Sequence, residues 1–187
     1  MLDDISDTVS FCIAPAIIFF LLMNKIENES IQALPYGWIS IMYVIFGITR
    51  LVLFILDQNS IPGFFKGLPV PGAALFASAP FIMLSNSIDE NSSEMIFWAR
   101  FCFFLLIIAG ILMISFPIRY MHIGRLMSRS RKFLFLTIFL IIVFAFTPYF
   151  GHVALTYLML YVFSPIYTWK ISPETASKEN TGNFYSS

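Results

Sequence analysis

The chain has 187 residues, 58% of them hydrophobic and 12% charged, with a mean hydropathy of +0.81 and no net charge. Soluble domains carry roughly 25% charged residues, and a fold in water has no room to hide this much apolar surface in so short a chain. The bilayer is therefore the expected solvent, and the missing positive charge excludes the basic surface that a nucleic-acid partner asks for.

An apolar run of about 20 residues crosses the hydrocarbon core as a helix. Six are predicted, near residues 3–24, 36–56, 69–87, 96–117, 132–148 and 151–169. The expected fold class is all-α, a polytopic transmembrane helical bundle. The uncharged stretch from Phe133 to Trp169 is too long for one ordinary span. Thr147-Pro148-Tyr149-Phe150-Gly151 breaks it into a hairpin, because proline removes a donor and glycine relaxes the backbone. Residues 1–171 thus read as one transmembrane domain. Residues 172–187 are polar and hold too few apolar side chains to fold alone, so a disordered cytoplasmic tail is expected there.

Loop charges set the orientation. Arg119, Arg125, Arg129, Arg131 and Lys132 place their segment in the cytoplasm by the positive-inside rule. Alternating spans then put Lys66, Lys170 and Lys178 on that side too. Glu27, Glu29, Asp89, Glu90 and Glu94 fall on the other. Both termini of this integral, multi-pass membrane protein are expected to be cytoplasmic. The N-terminus opens with acids where a cleavable signal peptide would carry bases. Cys12 and Cys102 lie within apolar runs and read as packed thiols, too few and too far apart for a disulfide framework.

Asp3 and Asp7 sit four residues apart at the start of the first run, on one face of a helix. Like charges at that spacing repel, and two things can offset them. One is the positive end of the helix dipole. The other is a divalent cation, since Mg²⁺ and Mn²⁺ favour carboxylate oxygens and often share a substrate phosphate. Spacing alone leaves both open. Arg50 near a helix end admits two readings as well, snorkelling to the interface or binding an anion. Lys66 reads equally as a positive-inside anchor or a contact for an anionic head group.

The context of the carboxylates is more specific. Leu2-Asp3-Asp4-Ile5-Ser6-Asp7-Thr8-Val9-Ser10-Phe11, followed by Ala14-Pro15-Ala16, resembles the CDP-alcohol phosphatidyltransferase family. That family's signature is D-x2-D-G-x2-A-R, a spacer, then G-x3-D-x3-D, and Asp3 and Asp7 match its closing D-x3-D. The phosphatidylserine synthase branch is the nearest in pattern. Phe65-Lys66-Gly67-Leu68-Pro69-Val70-Pro71-Gly72-Ala73 is similar to its F-x-G-L-P-x-P-A-A segment, and Gly47-Ile48-Thr49-Arg50-Leu51 resembles its G-x-x-R-L helix end. Met113-Ile114-Ser115 with Arg119-Tyr120 fits the end of a later helix. The matches fall in order across residues 2–120.

The resemblance implies a reaction. Such enzymes attack the β-phosphorus-side linkage of a CDP-activated lipid with a small alcohol and release CMP. In this branch CDP-diacylglycerol and L-serine give phosphatidylserine. Carried over residue by residue, Asp3 is a ligand of Mg²⁺ or Mn²⁺. Asp7 is the general base and also lies close to a metal, while Arg50 and Lys66 are substrate-binding. Family members are often homodimers, and membrane lipids are the expected surroundings.

Two departures accompany the resemblance. The first half of the signature, with its two aspartates and its Gly-x2-Ala-Arg, does not occur in these residues, so the isolated chain is expected to be inactive alone. Leu53 stands where the branch tends to carry a second arginine. Three origins fit this pattern: a synthase with further sequence upstream, a split or decayed remnant, or a non-catalytic membrane protein such as an assembly subunit or small transporter. Charge-free helix centres weigh against an ion transporter.

Overall fold

The computed structural model describes residues 2–56, 64–115, 119–121 and 149–163, with single positions at 135, 139, 143, 147 and 165. Four helices among them are long and apolar enough to cross a membrane: Ile5–Asn24, Tyr36–Leu56, Val70–Asp89 and Met95–Ile114. They are the first to fourth spans below. Their bounds follow the first four expected runs to within about three residues, the error usual for boundaries read from sequence. The expected fifth run, 132–148, lies almost wholly outside the described residues, as do the basic cluster 125–132 and the tail. The sixth is described as Phe150–Val162, 13 residues long. At about 1.5 Å per residue that is roughly 20 Å, short of the roughly 30 Å hydrocarbon core.

The first span is not uniformly α-helical. Between the turns of Leu2–Asp7 and Ala14–Asn24, residues Thr8–Ile13 widen into a π-helix, in which the Ala14 amide donates to the Val9 carbonyl. Pro15 explains the irregularity. It has no amide to offer the carbonyl one α-turn earlier, at Phe11, and in hydrocarbon such an orphan costs several kcal/mol. Tyr43 of the second span supplies the missing donor: its hydroxyl reaches the Phe11 carbonyl at 3.2 Å.

The third span is the centre of the bundle. It is 61% buried within the protein, against 22% to 39% for the other three. Gly72, Ala73, Ala74, Ala77 and Ala79 make it slim enough for its neighbours to close around it. The second span is its opposite in character. Trp38, Ile41, Ile45, Ile48, Val52 and Ile55 recur at helical spacing and stay exposed, a face for lipid.

One element departs from the all-helical expectation. Strands β1 (Phe64–Lys66) and β2 (Arg119–Met121) form an antiparallel ribbon in the register Phe64↔Met121, Phe65↔Tyr120 and Lys66↔Arg119. It ties the loop before the third span to the segment after the fourth. Both loops therefore sit at one end of the bundle, as alternating spans require. Just beyond β1, Gly67 has φ +78°, and a Cβ there would stand 2.8 Å from the Met113 carbonyl oxygen. Only glycine meets both demands. The Leu68 amide next to it bonds the Leu112 carbonyl at 3.0 Å and so satisfies one of the open carbonyls of the fourth span.

Candidate functional site

The ribbon end of the bundle gathers the residues singled out in the sequence. Asp3 and Asp7 lie in the opening helical turns, Leu2–Asp7, at the start of the first span. Asp7 is half-buried. The side chain of Asp3 lies outside the described residues. The second span runs back toward this end and brings Arg50 there, one and a half turns before it stops at Leu56.

A close helix contact sets their relation. Cys12 packs against Gly47 so tightly that a Cβ on the glycine would stand 2.5 Å from the Cys12 sulfur. From this contact, at about 1.5 Å per residue, Arg50 is displaced roughly 4.5 Å and Asp7 roughly 7.5 Å, both toward the ribbon end. They therefore come to within about one helical turn of a common level. Arg50 is only 5% exposed, with its guanidinium carbon 5.8 Å from the centroid of the Phe54 ring. A cation held inside the bundle beside an acid-bearing helix is suited to meeting an anion.

Lys66 is placed by its backbone alone, opposite Arg119 at the last rung of the ribbon. The middle rung is anchored inward by Tyr120, 1% exposed, whose ring centroid lies 5.9 Å from that of Tyr161 on the Phe150–Val162 helix. Burial pushes the Tyr120 hydroxyl up to about 12, so it stays a neutral group at any physiological pH.

A divalent cation would find two carboxylates one helical turn apart, a set that Mg²⁺ uses when waters and a ligand phosphate complete its shell. Among the described residues no group of three or more His, Cys, Asp or Glu side chains converges on one point.

Cys12 and Cys102 are free, fully buried thiols, as expected. His152 has its ring edge-on to Trp98, centroids 5.6 Å apart, far along the chain from any of the site residues. Sequence reasoning did not find Tyr43, Gly47, Cys12 or Tyr120 as the groups that position this end. Pro15 was the available signal, since an orphaned carbonyl inside a span calls for a donor from a neighbour. A scan against protein-family models finds no match for the chain, and a search of curated proteins finds none either.

Proposed function

We propose that the chain carries part of a CDP-diacylglycerol–serine O-phosphatidyltransferase, a phosphatidylserine synthase of the CDP-alcohol phosphatidyltransferase family. The observation that supports it most is the approach of half-buried Asp7 and buried Arg50 to one level at the same bundle end. In this reading the hydroxyl oxygen of L-serine bonds to the phosphorus that carries diacylglycerol. The bond from that phosphorus to the CMP oxygen breaks, CMP leaves with the electron pair, and Asp7 takes the serine proton. Mg²⁺ or Mn²⁺ at Asp3 and Asp7 supplies neutralisation of the pyrophosphate charge. Arg50 offers its charge to a phosphate or to the serine carboxylate, and Lys66 to the lipid head group.

The remaining aspartates of the family's metal set are not among these residues, so the proposal includes carboxylates contributed by other polypeptide sequence. It also includes six spans, cytoplasmic termini with the site on that side, and a homodimeric assembly. Serine-dependent CMP release from native membranes, compared before and after Asp7→Asn in the cellular copy, tests the reading. Loss supports it, and unchanged release removes it.

The alternative is a non-catalytic membrane protein such as a remnant, an assembly subunit or a small transporter. In that case Asp7→Asn leaves CMP release unaltered, while the assembly is the property to follow.

A further inference from the structure

We propose that the π-turn at Thr8–Ile13 is a positioning element. It rotates Asp7 to the side of the first span on which Arg50 stands, and Pro15 and Tyr43 hold it in place. The inference deepens the transferase reading, on which it rests for the importance of Asp7. The rotation itself is judged without any transfer reaction.

Consecutive α-helical residues turn by about 100° around the axis. Cys12, packed on Gly47, marks the line from the first span to the second. An unbroken α-helix would set Asp7 about 140° from that line and Ile5 about 20° from it. The chain does otherwise. The Ala14 amide bonds the Val9 carbonyl, five residues back instead of four, so the turn holds one extra residue. Everything before it is rotated by about 100°, which leaves Asp7 about 40° from the contact line and Ile5 about 120°. Burial agrees: Asp7 is half-buried and Ile5 is 57% exposed. A carboxylate is turned toward the neighbouring span and an isoleucine away from it, the reverse of what apolar burial alone selects.

The second span answers on the same side. Arg50 follows Gly47 by three residues, about 60° around from the contact. Because the two spans run antiparallel, this offset and that of Asp7 fall on one side of the contact line and converge. The apolar groove between the spans, lined by Ala16, Ile17, Ile41 and Val44, falls on the other side. Pro15 and Tyr43 account for the persistence of a rare kind of turn. A proline ring clashes with the carbonyl four residues earlier, here Phe11, and a widened turn moves that carbonyl aside. The Tyr43 hydroxyl then donates to it at 3.2 Å. Tyr43 is 1% exposed and belongs to the second span, so the bond ties the angle of Asp7 to the helix that carries Arg50.

Thiol linking reads the angle directly. The full chain in phosphatidylcholine nanodiscs, with Cys12→Ser and Cys102→Ser, carries either Asp7→Cys with Arg50→Cys or Ile5→Cys with Arg50→Cys. A short bifunctional thiol reagent should link the first pair severalfold faster than the second. Adding Pro15→Ala and Tyr43→Phe lets the turn relax to α, and the preference should reverse toward Ile5. Deleting Ser10 in that background removes the extra residue and returns Asp7 to about 40° from the contact line. The deletion should therefore restore the original preference, which rules out misfolding as the cause of its loss. A first pair that links no faster than the second overturns the proposal. So does a preference that the two substitutions leave in place, or one that the deletion fails to restore. No substrate is present, so a failed transferase reading leaves the linking pattern legible. A failed pattern likewise leaves Asp7→Asn to be judged by CMP release.

Discussion

The two ends of the bundle handle polar groups in different ways. At the end that joins the first and second spans, charged residues such as Lys25, Glu29 and Glu94 stay exposed, and neutral groups satisfy one another. Asn28 accepts from the Ser30 amide, the Gln32 side chain donates to the Ile26 carbonyl, and the Tyr36 hydroxyl reaches Asn24 at 2.8 Å. At the ribbon end a carboxyl and a guanidinium are drawn into the protein, half-buried Asp7 and Arg50 at 5% exposure. Amides and hydroxyls paired among themselves close a loop. Charges drawn into a protein cost free energy that a ligand can return. The proposed function is assigned to the ribbon end on Asp7 and Arg50, and the hydrogen-bonded groups at the other end hold a loop together.

The sharpest way to break this comparison is a matched pair of substitutions. Asp7→Asn should reduce serine-dependent CMP release by about 10²–10⁴-fold, the usual contribution of a positioned general base. Gln32→Ala, at the opposite end, should leave release unchanged and lower only thermal stability. Equal losses in the two variants would mean that neither end is special.

A second test concerns how the site is held. Gly47→Ala inserts a methyl where only 2.5 Å separates the ideal Cβ from the Cys12 sulfur. Overpacking of this kind costs about 1–3 kcal/mol, and here it would also push the first span and Asp7 away from Arg50. Cys12→Ala in the same chain should recover part of the loss, a coupling expected only of touching residues. Additive effects in a denaturation series would show that the contact does not set the helix spacing.

Much of this architecture is readable from the chain because the bilayer imposes a simple rule. Four long apolar runs became four helices close to their expected ends, since a span must be apolar and about 20 residues long. The buried thiols followed from the same rule. The ribbon did not, because three-residue strands are too short to show an alternating pattern and one of them abuts Gly67 and Pro69. Arg50 illustrates a different limit. A basic residue near a helix end has the same sequence signature whether it snorkels or is enclosed, and the choice depends on which neighbours pack against it. Asp7 was legible as a position at the head of a span. Its approach to Arg50 was not, being set by a cysteine–glycine contact between two helices.

Tyr43 offers a smaller effect with a specific signature. Tyr43→Phe removes the donor to the Phe11 carbonyl, and about 1 kcal/mol of stability should go with it. The explanation through Pro15 makes a stronger demand. In a Pro15→Ala background the helix regains its own amide, so the carbonyl no longer depends on Tyr43. The cost of Tyr43→Phe should then shrink, as read by unfolding of the four single and double variants. An undiminished cost would detach the tyrosine from the proline.

The smallest expected effect belongs to the closed end. The Tyr36 hydroxyl lies 2.8 Å from the Asn24 side-chain oxygen and 3.3 Å from that of Gln32, and it has one proton to share between them. It is exposed to solvent, so water can replace it on both acceptors. Tyr36→Phe should cost about 0.5 kcal/mol or less, at the low end for a hydrogen bond. It should leave serine-dependent CMP release unchanged. This near-silence is informative because the second span connects the two ends directly, from Tyr36 to Leu56, with Arg50 on the way. If the span passes strain along its length, loosening its first turn would register at Arg50 as altered CMP release. If the ends are independent, only the melting temperature moves. A loss of release larger than the loss of stability accounts for would therefore replace the contrast between the ends with a single coupled helix.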